Sequence, residues 1–254
     1  MSVTHPRPPE AAVAAEPPDE PSSPEPSTRP DADGLASAYR QLQLIVGLIA
    51  LLLPAVLILG TKAISGGAWF QSSISAYYYT STRNVFVGAL CAIGVFFLAY
   101  QHRPIEHGFE VDKWVANVAA VAAIGVAFFP TARSAAASGW VSTVHGISAG
   151  VLFTCLAIFC LFLFTRDRDT PPLTKQTLMQ ALGGALAPPA TGGLADKGRH
   201  AIYLACGVII VVAMVVAGLS NWRHWHLFMW TEVVAVIAFA TSWLARSTKL
   251  VTPA

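Results

Sequence analysis

Residues Leu42–Gly60 read LQLIVGLIALLLPAVLILG, and Gln43 is the one side chain among them with conventional hydrogen-bonding groups. A hydrocarbon core about 30 Å thick needs roughly 20 apolar residues in a helix, with about 17 as the lower bound. This run meets that requirement, so the solvent for the fold is expected to be lipid. Five more runs repeat the pattern, near Val85–Gln101, Trp114–Phe129, Val141–Phe164, Ile202–Leu219 and Leu227–Leu244. The third is short and contains Asn117, yet a half-span would leave irregular backbone exposed to lipid, where nothing satisfies its polar groups. The expected fold class is all-α: an integral membrane bundle of six transmembrane helices over residues 39–247.

Composition points the same way. The chain is 54% hydrophobic and 12% charged, about half the charge of a soluble domain. A net charge of +2, scattered along the chain, argues against a nucleic-acid surface. Cys91, Cys155, Cys160 and Cys206 all fall in apolar runs, where thiols behave as small hydrophobes, and no CxxC spacing occurs. Residues 1–38 are a separate regime: nine of the 17 prolines lie in the first 34 positions, with few large apolar residues. Such a segment buries too little surface to offset the entropy of ordering, so a disordered tail is expected. It lacks the basic region and short apolar core of a cleaved signal peptide, and the first span is expected to stay as an anchor. No repeat of about 20–50 residues and no GxGxxG or P-loop motif is present.

Orientation follows from Lys and Arg in alternate segments. The tail, the 102–113 connection, the 165–201 connection and the C-terminal tail at 248–254, with Arg246 beside it, hold twelve. The opposite connections hold four, Lys62, Arg83, Arg133 and Arg223. Both termini are therefore expected in the cytoplasm of a cell with a multi-pass plasma-membrane protein. Trp69, Trp140, Trp222, Trp225 and Tyr77–Tyr79 then form an aromatic belt at the outer interface.

On that outer side Glu232 is the single acidic residue, and it lies inside an apolar run. A carboxylate in hydrocarbon costs several kcal/mol unless paired or hydrated, so it marks a candidate functional site. His145 follows Trp140 by five residues and Glu232 follows Trp225 by seven, depths of about 7 and 10 Å at 1.5 Å per residue. A buried His145–Glu232 pair is expected, serving either packing or ligand binding. Gly146 and Gly150 form a GxxxG, read as a tight helix crossing and a route to homo-oligomers. The Gly60–Asn84 connection is rich in hydroxyls and has no acid. With Tyr77, Tyr78, Arg83 and Arg133 it suits a lipid head group, since phosphates are held by Arg, hydroxyls and backbone amides. Zinc on His145, His224, His226 and Glu232 is the alternative, needing at least three converging ligands and one open position. Otherwise no cofactor is expected.

The run Ser73–Tyr79 (SISAYYY), leading through Arg83-Asn84-Val85-Phe86-Val87-Gly88, resembles a pattern in uncharacterised bacterial six-helix multi-pass membrane proteins. Phe128-Phe129-Pro130, His145-Gly146, and Glu232 followed by Phe239 and Ser242-Trp243 extend the likeness over about residues 40–247. That group is distantly similar to DRAM/Frag/Sfk-type proteins. The resemblance implies the six-helix topology and a part in lipid or membrane homeostasis. A weaker similarity, to alkaline-ceramidase-like hydrolases, departs from their pattern: no aspartate lies inside the spans as bounded above. The function expected is a non-enzymatic membrane protein that binds a lipid or small amphiphile in an outward-facing polar pocket. The alternative is a metal-dependent lipid hydrolase.

Overall fold

The computed structural model describes residues 30–66, 68–99, 111–133, 139–165, 194–223 and 227–248. Residues 1–29 of the expected tail, most of the 102–113 and 165–201 connections, and residues 249–254 lie outside the described residues, whereas residues 30–38, expected to be disordered, are helical. By contacts the chain divides into Met1–Ser37 and Ala38–Ala254, and the following concerns the second unit.

Among the described residues the fold is all-helical. In chain order it comprises α1 (Pro30–Ser65), a 3₁₀ turn (Ser75–Tyr79), α2 (Arg83–Ala99), α3 (Val111–Phe128), α4 (Trp140–Ile158), α5 (Leu194–Arg223) and α6 (Phe228–Thr248). Stretches within α1, α3, α4, α5 and α6 are long and apolar enough to cross a bilayer. The short helix is α2, not the third run: its 17 residues span about 26 Å at 1.5 Å each. Its expected end at Gln101 lies outside the described residues. α5 begins at Leu194, so the helix takes in the polar residues Lys197, Arg199 and His200, which the sequence pattern assigns to the 165–201 connection.

Burial follows one stripe per helix, and what lies opposite is also apolar. On α1 the inward positions are Gln43, Val46, Ala50, Leu53, Leu57 and Thr61, spaced by three and four. Leu48, Leu52, Val56 and Leu59 face out. The same holds on α5, where Val208, Val211, Val212 and Val215 are exposed. Helices apolar on both the inward and the outward face require a hydrocarbon surround. The architecture is a membrane bundle.

Small residues set the crossings. The buried face of α3 is Ala116, Ala119, Ala120, Ala123 and Ala127, which lets α2 and α4 approach closely. At Gly125 an added Cβ would lie 2.5 Å from Ser148 Oγ on α4, and at Gly94 it would lie 3.2 Å from the Ala120 carbonyl. α1 meets α6 at Gly47, whose Cβ would sit 2.6 Å from Leu244.

At one end of the bundle Trp243 anchors an aromatic cluster. Its ring lies 5.4–6.2 Å from those of Phe96, Phe97, Phe159, Phe164 and Phe239, mostly edge to face, and its Nε1–H donates to the Gln43 carbonyl at 3.0 Å. Here α4 widens into a π turn, Phe159–Leu163, closed by Phe164 N–H on the Phe159 carbonyl at 2.9 Å. The extra residue in the turn brings Phe159, Cys160, Leu163 and Phe164 all inside. The opposite end carries the connection after α1 and the described part of the one after α3, and holds the candidate site.

Candidate functional site

The connection after α1 folds on its own polar groups. Gly66, at φ +62°, ends the helix in a left-handed conformation that a side chain would strain, and its N–H reaches the Lys62 carbonyl at 3.1 Å. The Lys62 ammonium lies 5.2 Å above the Trp69 ring. Hydroxyls of Thr61, Thr80 and Thr82 form a triangle of 2.8–3.1 Å that ties α1 to the start of α2. Ser73 Oγ accepts the Ala76 N–H at 3.0 Å and opens the 3₁₀ turn. Within it Tyr77 is fully buried and donates to the Trp69 carbonyl, while Tyr79 donates to the Thr131 carbonyl at 2.7 Å. Burial pushes the Tyr77 phenol above the usual tyrosine range, against a smaller opposing effect of a hydrogen bond with the Gln71 backbone.

The first amides of a helical turn have no partner within it. The Ile74 N–H is one of them, and it is met from the far end of the chain: it donates to Glu232 Oε2 at 2.6 Å. Glu232 stands in the second turn of α6, 8% exposed, and so fastens the first connection to the last helix.

His145 does the converse for α3. That helix stops at Phe128-Phe129-Pro130, because proline has no N–H to continue the ladder and clashes with the preceding turn. The Phe129 carbonyl is taken up by His145 Nδ1 at 2.6 Å. A carbonyl only accepts, so Nδ1 carries the proton, and in the neutral ring Nε2 is left as an acceptor. The expected direct His145–Glu232 contact is not made: each side chain serves a backbone group, and no ion pair joins them.

Both nevertheless border one space. A cavity of about 480 Å³ lies between α4, α5 and α6, roofed by Ser73, Ser75 and Thr131, with His145 and Glu232 in its wall. Gly146, Ala149, Gly150, Phe153, Ala213 and Ala217 line its apolar part. A smaller apolar cavity of about 70 Å³ adjoins it, sharing Ser75, Ala149, Phe153 and Glu232.

The other expected ligand residues stand elsewhere. Tyr77, Tyr78, Arg83 and Arg133 do not line the cavity. The Arg83 guanidinium lies 4.2 Å over the Tyr78 ring and donates to its hydroxyl; that of Arg133 lies 4.2 Å over Tyr79. Cation–π stacking holds both cations on the tyrosines rather than at the polar wall. The GxxxG also reads differently: a Cβ at Gly146 or Gly150 meets nothing within 4 Å, so these glycines open the cavity instead of seating a neighbouring helix of the chain. Sequence reasoning missed Ser75, Thr131 and Thr231 as wall residues. The serine run was visible, but nothing in it marked which hydroxyl turns inward. His224 and His226 lie outside the described residues, and among the described residues no group of three His, Cys, Asp or Glu could hold a metal ion.

No family model, curated protein or solved structure matches the chain.

Proposed function

We propose that this integral membrane protein binds a lipid or small amphiphile in the cavity between α4, α5 and α6. One observation carries the reading. A space of about 480 Å³, inside the range of roughly 300–1,000 Å³ usual for small-molecule sites, has polar groups at one end and small apolar residues along the rest. That division suits a molecule with a polar head and a chain. We further place the protein in the plasma membrane, crossing six times with both termini cytoplasmic, in support of which stands the twelve-to-four distribution of Lys and Arg. The resemblance to bacterial six-helix membrane proteins and to the DRAM/Frag/Sfk type is in keeping with a lipid ligand.

The test is saturable binding of a neutral fluorescent monoacylglycerol to the protein in phosphatidylcholine nanodiscs. Gly150→Leu places four carbons where a Cβ now meets nothing, filling the cavity without an internal clash at the first atom. It should weaken binding at least tenfold, about 1.4 kcal/mol. Unchanged affinity in a folded Gly150→Leu protein would remove this site from consideration.

A further inference from the structure

The polar wall has a definite chemical sense. Glu232 Oε2 takes the Ile74 N–H, and among the described residues no donor is paired with Oε1. The Glu232 carboxyl, which lines the cavity, therefore keeps accepting capacity that no described donor uses. His145 spends its Nδ1 proton on the Phe129 carbonyl, which leaves the Nε2 lone pair of the neutral ring. Ser75 Oγ donates or accepts as required. Ser73 and Ser142 hydroxyls are engaged with backbone amides of Ala76 and Gly139, and Thr231 donates to the Phe228 carbonyl. Among the described residues no Lys or Arg side chain lines the space, because Arg83 and Arg133 are stacked on tyrosines outside it. Among the described residues the wall therefore offers two uncommitted acceptors, hydroxyls that can donate or accept, and no Lys or Arg charge.

Resting on the binding function proposed above, we infer that the occupant is an amphiphile with a hydrogen-bond-donating cationic head, a primary ammonium on an alkyl chain, rather than a phosphate or a carboxylate. The ammonium has three donors and no acceptor, which matches Glu232 Oε1, His145 Nε2 and Ser75 Oγ. A buried carboxylate opposite a cation is also far less costly than one alone in hydrocarbon. An anionic head would bring like charge to Glu232 and find no Lys or Arg in the wall among the described residues to offset it. The small residues of α4 and α5 leave room for the chain beside Phe153. This reverses the ligand chemistry expected from the sequence, in which two arginines were to bind a phosphate.

The experiment is a head-group series on one alkyl chain: ammonium, alcohol, carboxylate and phosphate. Each displaces the neutral monoacylglycerol probe from protein in phosphatidylcholine nanodiscs, with empty nanodiscs correcting for partition. The ammonium should compete about tenfold more tightly than the alcohol, as expected when a neutral hydrogen bond becomes charge-assisted. Carboxylate and phosphate should be weaker than the alcohol. Glu232→Gln keeps an oxygen for the Ile74 N–H and should reduce the ammonium's advantage over the alcohol from about tenfold to about twofold, a ratio read within the one variant. Equal binding of ammonium and alcohol, or tighter binding of either anion, overturns the inference while leaving an amphiphile site in place. The wild-type series decides this alone should Glu232→Gln not fold. Absence of saturable displacement by any head, with Gly150→Leu indistinguishable from wild type, removes the site and the inference together.

Discussion

Glu232 and Ile74 lie 158 residues apart, and the bond between them decides whether the first connection is fixed to α6. Two substitutions separate its parts. Glu232→Gln retains an oxygen acceptor for the amide, so the loss should be no more than about 1 kcal/mol. Glu232→Ala retains nothing, and the Ile74 N–H, beside a side chain 6% exposed, is left buried without a partner. That omission costs about 1–3 kcal/mol on top of the lost bond. Removing the carboxyl also relieves its own burial, so the decisive quantity is the order, with Ala worse than Gln by about 1–2 kcal/mol. Equilibrium unfolding by sodium dodecyl sulfate in mixed micelles, followed by far-ultraviolet circular dichroism, measures both. Limited proteolysis within residues 66–82 reports the connection directly and should accelerate only in the alanine variant. If Gln proves as damaging as Ala, or Ala unfolds with wild-type stability, the amide does not depend on this side chain and the argument fails.

Three further outcomes follow from the packing. Gly125→Ala drives a Cβ to 2.5 Å from Ser148 Oγ and should destabilise by about 1–3 kcal/mol, whereas Gly146→Ala and Gly150→Ala should be neutral or gain about 0.5–1 kcal/mol from helix propensity; the same detergent titration compares them, and a large loss at Gly150→Ala would restore the packing interpretation of the GxxxG. Trp243→Ala should cost about 3–5 kcal/mol, as large core aromatics do, while Trp243→Phe keeps a ring in the cluster and gives up the bond to Gln43, about 1 kcal/mol. The raised Tyr77 phenol means that the folded state holds its proton more tightly than the unfolded chain does. Stability from this group is intact below the ordinary tyrosine value of about 10 and declines as pH rises above it. Tyr77→Phe should lose one buried hydrogen bond, about 1 kcal/mol at neutral pH, and show a shallower alkaline decline; equal slopes would contradict the burial of the phenol.

The helices were legible because length and apolarity are local properties. Leu42–Gly60 falls wholly inside α1, and Trp114–Phe129, despite Asn117, is matched by α3 almost end to end. The start of α5 was not, since Lys197 and Arg199 look like loop residues until a helix is seen to carry them past the apolar run. At the site, Glu232 and His145 stood out because ionisable groups are scarce in such segments, and both do border the cavity. What they touch was beyond reach: a glutamate seeking an amide and a histidine seeking a carbonyl look the same in sequence as two side chains seeking each other. Gly146-x-x-x-Gly150 shows the same limit, because one spacing serves a groove whether a helix fills it or not. Arg83 and Arg133 were read by charge alone, and the neighbouring tyrosine faces that claim them depend on the turn between Ser75 and Tyr79.

The clasp between Ile74 and Glu232 also sets an order on biogenesis. A ribosome adding roughly 5–20 residues per second needs about 8–32 s to make the 158 residues that separate them. Throughout that interval the amide of Ile74 has no carboxylate to meet, and water or lipid head groups must occupy its place. The hairpin of α1 and α2 is thus locked only once α6 has joined the bundle, which makes arrival of α6 the step that completes the mouth of the cavity.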